Sequence, residues 1–141
     1  MIPRYRAWNK YLNVMHEVDD ILAISFEDKN ICVQTIYFEE GLPDSRDVDY
    51  YEFDDIVLMQ STGLTDKKDK EIFEGDILSI ESDEGNIRVI VFWDDKHALF
   101  MFESEKYNEK VALAELFEDN SYQFNIIGNI YENPELLEVK K

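Results

Sequence analysis

The sequence predicts a mainly β protein of α+β type: a hairpin-rich amino-terminal subdomain of mixed structure leading into a small SH3-like β-barrel with one short helix. Three observations predict it. Short runs of β-branched and aromatic residues recur along most of the chain. Polar clusters, several containing glycine, separate these runs at hairpin spacing. Helical spacing of apolar residues is confined to one brief stretch late in the chain.

Residues 4–8, Arg-Tyr-Arg-Ala-Trp, alternate into a short strand that turns at Asn9-Lys10, and residues 12–18 pair back on it. Ile21–Phe26 and Ile31–Phe38 flank the polar Glu27-Asp28-Lys29-Asn30 and form a hairpin. A helix over Leu12–Ile24 is the competing reading. From Glu39 to Asp55 eight carboxylates face a single cation, Arg46. Gly41 and Pro43 punctuate the start of this segment, and like-charge repulsion makes Gly41–Val48 a mobile loop, anchored at its far end by Tyr50, Tyr51 and Phe53. The subdomain boundary follows: residues 1–57 form the first part, with the acidic loop at 39–55, and residues 58–141 form the barrel.

Leu58–Leu78 is the junction between them. Leu58 and Met59 close one strand, Thr62-Gly63 turns the chain, Asp66–Lys70 is a solvated tip, and Gly75-Asp76 is a corner from which alternation resumes at Ile77. Ile77–Ser82 and Ile87–Trp93 form a hairpin across the turn Asp83-Glu84-Gly85-Asn86, in which Gly85-Asn86 are residues tolerant of positive φ. Asp94–His97 is a second turn and Ala98–Glu103 a third strand. Lys110–Phe117, with Val111, Ala114 and Phe117 at helical spacing, is the short helix, ending near Asp119-Asn120. Tyr122–Ile130 is the closing strand, with Gly128 marking a bulge or a close backbone approach. Asn133 caps a terminal turn begun by Pro134, and Val139–Lys141 fray.

Among 141 residues, 32 are acidic and 14 basic, a formal net charge of -18. Such a surface repels phosphate backbones and anionic membranes, which argues against direct nucleic-acid or membrane binding. Hydrophobic residues make up 45% and aromatics 13%, so the acid decorates a folded object. Cys32 is the single cysteine, no signal-peptide pattern opens the chain, and no apolar run approaches the roughly 20 residues that span a bilayer. The expected compartment is the cytoplasm.

Three blocks of sequence resemble the YopX family, whose members are encoded by bacteriophages and prophages. They are Arg6-Ala7-Trp8; Leu58–Leu64 continuing through Glu71–Ile77; and Ile127-Gly128-Asn129-Ile130-Tyr131-Glu132-Asn133-Pro134-Glu135-Leu136. The chain departs from the family pattern at Ser61, where an aromatic is common, and at Lys68-Asp69, where an Asn-Gly-like pair is common. The resemblance implies a mixed amino-terminal portion joined to a barrel-like carboxy-terminal portion. It implies no reaction.

The residues themselves point to architecture before chemistry. Asp44, Asp47 and Asp49 invite a divalent-cation reading, but their spacing fails the twelve-residue calcium loop and a solvated acidic face is the simpler account. His16 and His97 lack partner motifs for zinc or for a triad, and read as turn or surface residues. Cys32, in an apolar run, reads as a buried small hydrophobe. Trp8 and Trp93, at strand positions, read as core. Tyr5, Tyr50, Tyr51 and Tyr131 are the interface candidates. No cofactor, catalytic residue or metal ligand is expected. The expected function is therefore non-enzymatic protein association, including self-association through strand edges and tyrosines. An acidic mimic of nucleic acid acting on a host DNA-binding protein is the alternative, and a metal-dependent enzyme using the acidic loop ranks below it.

Overall fold

The computed structural model describes residues 2–104, 106, 108–118 and 120–137. The fold is mainly β, with a single one-turn α-helix among the described residues. It divides into two compact units between Gln60 and Ser61, and that division falls within a strand.

In the first unit, β1 (Tyr5–Asn9) pairs antiparallel with β2 (Val14–His16) and with the opening residues of β6 (Ile56–Thr65). β3 (Ile21–Ser25), β4 (Asn30–Glu39) and β5 (Leu42–Glu52) form a separate meander. Ala7, Ile31, Val33 and Ile56 are buried at its core, with Ile21, Ile24, Tyr51 and Leu58 packed against them. The helical alternative over Leu12–Ile24 reduces to one 3₁₀ turn at Val18–Asp20. The backbone at Asn13 stops it. Asn9 Oδ1 accepts from the Tyr11 and Leu12 N–H groups at 3.0 and 2.9 Å, and Asn13 follows at φ 56, a conformation that a right-handed helix cannot continue.

In the second unit, β7 (Glu71–Phe73) pairs with the last residues of β6 across an irregular register. β8 (Asp76–Ser82), β9 (Gly85–Asp94), β10 (Leu99–Ser104) and β11 (Glu109–Ala112) run as a meander, and α1 (Glu115–Glu118) leads to β12 (Phe124–Asn129), which returns to the free side of β8. The order is β11-β10-β9-β8-β12. Alternate residues of these strands, among them Leu78, Ile80, Val89 and Val91, bury one face with Leu113, Leu116 and Phe124.

Several expectations need correction. The segment read as a mobile loop, Gly41–Val48, lies almost wholly in β5, hydrogen-bonded along β4. Glu40 and Gly41, at φ 53 and 81, make a two-residue turn whose twist suits a hairpin, and the ladder to β4 holds the segment although Asp47 and Asp49 share one face. The helix expected over Lys110–Phe117 is shorter, because Val111 and Ala112 find strand partners in Phe102 and Met101. Tertiary pairing overrides the helical spacing there. Ser61–Gly63 bends β6 without ending it. The β8–β9 turn is centred one step earlier than expected, on Asp83-Glu84, with Gly85 already paired to Ser82. Trp93 is 39% exposed, its ring edge-on to Phe100 at 4.9 Å, so it is no core residue. The expected helix end at Asp119 and the fraying of Val139–Lys141 lie outside the described residues.

Candidate functional site

Strands β4 and β5 outrun their sheet. β3 pairs only with Asn30–Val33, so residues 34–48 continue as a two-stranded ribbon. Residues opposite one another in an antiparallel pair share a face, and successive residues alternate faces. One face of the ribbon thus carries Ile36, Phe38, Arg46 and Val48, continuing to Tyr50, and the other carries Thr35, Tyr37, Ser45, Asp47 and Asp49. The side-chain bonds follow this division. Arg46 Nη1 donates to Gln34 Oε1 at 3.0 Å on the first face, and the Tyr37 hydroxyl donates to Asp47 Oδ2 at 2.9 Å on the second. That bond, and the charge behind it, hold the Tyr37 phenol above its ordinary pKa.

The first face sets four exposed apolar side chains beside the Arg46–Gln34 pair. Phe38 is 64% exposed, Tyr50 67%, Val48 42% and Ile36 37%, and the strand register puts both Asp47 and Asp49 on the opposite face. Exposed apolar side chains gathered on one face, rather than scattered singly, mark a contact surface. At the base of this face the buried Cys32 lies opposite Tyr50, and its nearness raises the pKa of the Tyr50 phenol.

A second set of polar groups is buried, and it shapes turns. Asp66, read from sequence as part of a solvated tip, is buried. Its Oδ1 accepts from the Lys68 and Lys70 N–H groups, both at 2.9 Å, and its Oδ2 accepts from Ile126 N–H at 2.9 Å. Burial pushes this carboxyl up, but the donors of Ile126, Lys70 and Lys68, with the Lys70 charge, outweigh it and hold the pKa below the usual carboxylate value. Asp76 Oδ2 accepts from Phe73 N–H at 2.8 Å across the Gly75 corner. Asn129 Oδ1 accepts from Tyr131 and Glu132 N–H, repeating at the end of β12 what Asn9 does at the end of β1. An Asx residue followed within four positions by exposed turn residues was the available signal for Asp66.

The remaining predicted positions fall into this architecture. Thr62 Oγ1 donates to the Ile72 carbonyl at 2.8 Å and accepts from Leu64 N–H, while Gly63 takes φ 78 within β6. Gly75, at φ 86, donates its N–H to the Val91 carbonyl and accepts from Ile130 N–H, tying three segments together. Gly128 sits at a register shift in β12, where a Cβ would lie 2.5 Å from Asn133 Oδ1. Asn133 turns its side chain back to accept from Asn129 N–H at 3.2 Å, rather than forward as the expected cap, and Pro134 opens the 3₁₀ turn Pro134–Leu137. Trp8 is half-buried in β1 opposite Met15 and Val57. Tyr5, Tyr51 and Tyr131 are half-buried, which leaves Tyr50 as the exposed member of the predicted interface set.

His16 Nε2 lies 3.1 Å from Asn9 Nδ2 with its ring stacked on Tyr51, and burial lowers its pKa against the opposing charge of Asp20. His97 Nδ1 lies 2.7 Å from Asp94 Oδ2 in an exposed turn. Among the described residues, no group of three or more His, Cys, Asp or Glu side chains is placed to share a metal ion. None of the described helices is long and apolar enough to cross a membrane.

Comparison with known proteins places the fold. The chain is similar to protein EF1440 from Enterococcus faecalis, with 29% identity, a TM-score of 0.65, and coverage of 98% of this chain and 99% of that one. It shares its fold with protein yopX from Bacillus subtilis at 22% identity and a TM-score of 0.60, over 96% of this chain and 98% of that one. Among curated proteins, none matches. Residues 4–138 match the family model described as YopX protein, and the chain belongs to that family.

Proposed function

We propose that this is a non-enzymatic accessory protein of phage or prophage origin, working in the host cytoplasm by protein association, and that it associates with itself through the apolar face of the β4–β5 ribbon. The observation that carries this reading is the gathering of exposed Ile36, Phe38, Val48 and Tyr50 on the ribbon face that Asp47 and Asp49 turn away from. At a net charge of -18, two copies repel over most of their surfaces. The face of Ile36, Phe38, Val48 and Tyr50 is where a second copy meets apolar groups with Asp47 and Asp49 turned away. Packing against a partner also supplies the cover that an isolated two-stranded ribbon lacks. The second unit is read as an SH3-like barrel, supported by a four-strand meander, one helical turn, and a last strand that returns to the first.

Size-exclusion chromatography with light scattering tests the association. The chain is expected to run as a dimer or larger at about 100 µM, and the double variant Val48→Asp, Tyr50→Asp as a folded monomer. A wild-type monomer at that concentration rejects self-association. The alternative, a decoy for a DNA-binding protein, draws on net charge and predicts salt-sensitive capture of a basic protein. Its weakness is that the ribbon's acidic face aligns only Asp47 and Asp49 in register along β5.

A further inference from the structure

The second unit holds a cavity that the ribbon reading leaves unused. It has a volume of about 530 Å³, and its walls include Ile80, Phe102, Val111 and Leu116 from β8, β10, β11 and α1. That size falls within the range of small-molecule sites, which runs from roughly 300 to 1,000 Å³. Its floor is core: Leu116 and Ile80 are buried members of the cluster that holds the sheet together, and Phe102 packs against it. An apolar ligand body that fills the cavity therefore meets side chains already fixed by packing.

The rim selects the charge of that body. Glu109, Glu115 and Glu118 line the cavity, and no Lys, Arg or His does so among the described residues. The nearest cation in sequence, Lys110, lies on the opposite face of β11, its Nζ 5.9 Å from the centre of the Phe92 ring. All three glutamates are exposed, so a cation reaches them without stripping their water. An anionic ligand meets three like charges there.

We propose that this cavity is a binding site for a small organic cation, an apolar body carrying an ammonium group, with the body on the Phe102, Val111 and Leu116 surface and the ammonium among the three glutamates. The cavity makes the site, and the carboxylates set its preference. A ligand of nine or so heavy atoms is expected to bind in the millimolar range at ordinary ligand efficiency.

The test uses the full chain with 2-phenylethylammonium, 3-phenylpropanoate and 3-phenylpropan-1-ol as probes, followed by NMR. Expected is saturable binding of the ammonium, about tenfold tighter than the carboxylate, with shifts centred on the Val111 and Leu116 methyls and the Phe102 ring. The double variant Glu115→Gln, Glu118→Gln, at two exposed positions, is expected to weaken the ammonium by about three- to tenfold while leaving the alcohol and the melting temperature unchanged. Raising the salt lowers the ammonium affinity in the same sense. Absence of saturable ammonium binding up to about 10 mM, equal affinity for cation and anion, or shifts centred elsewhere overturns the proposal.

Discussion

Asp66 in the second unit and Asp47 and Asp49 in the β4–β5 ribbon all sit in stretches dense in charge, the first mixed in sign and the second acidic, yet their surroundings differ in kind. Asp66 is buried and receives three backbone N–H donors, two from its own turn and one from Ile126, 60 residues away. Asp47 and Asp49 are exposed, and Asp47 accepts from one exposed hydroxyl, that of Tyr37. The difference teaches that what a carboxylate does is decided by the backbone donors the fold brings to it. Acidic density along the chain says little. It also divides the molecule's work, with closed turn geometry in the second unit and open surface in the ribbon.

The largest expected break in this comparison is Asp66→Ala. It leaves the N–H groups of the exposed Lys68 and Lys70 and of the half-buried Ile126 without their acceptor, and is expected to cost about 3 kcal/mol, read by urea unfolding. The same residue sets an acid limit. Its pKa is depressed in the folded state, so its contribution is fully present above the unfolded value near 4 and is lost as pH falls through the folded value. Below about pH 4 the wild type is therefore expected to lose stability faster than Asp66→Asn, and parallel curves would show that the donors do not hold the charge.

Gly75→Val comes next. At φ 86 a β-branched side chain is strained, and the corner's N–H and carbonyl are both committed to neighbouring strands. A loss of about 2 kcal/mol is expected, with Lys68→Ala, on the exposed tip nearby, within about 0.5 kcal/mol of wild type. Similar melting temperatures for the two variants would remove the architectural role of the corner.

These sites also show how much was legible beforehand. Strand runs such as Ile31–Phe38 and Ile87–Trp93 were visible because β-branched and aromatic side chains fit a pleated surface wherever they pack. The family blocks at Leu58–Ile77 and Ile127–Leu136 were visible because turns restrict residue type at fixed offsets. Asp66 was not, since its decisive donor, Ile126, lies 60 residues away. The ribbon was hidden for a different reason. Charge repulsion is a local inference, whereas the pairing of Leu42–Glu52 with β4 depends on a turn in which Glu40 takes a left-handed conformation that its residue type does not announce. Of the proposed association surface, Tyr50 could be named in advance, but its alignment with Ile36, Phe38 and Val48 required the strand register.

The smallest expected effect gives the comparison its sharpest form. Replacing Asp47 and Asp49 together by Ser removes two charges and one exposed hydrogen bond, and no buried donor loses its acceptor. Relief of like-charge repulsion along the ribbon acts in the opposite direction, so the two contributions nearly cancel. A net change within about 0.5 kcal/mol is expected from urea unfolding. A loss above about 1 kcal/mol would mean that the acidic face is held by bonds like those of Asp66, and the ribbon would then be a second closed element. If the change is small and the protein self-associates more strongly at low salt than the wild type, the acids act as a limit on how closely two copies approach, which is the role an exposed carboxylate plays beside an apolar contact.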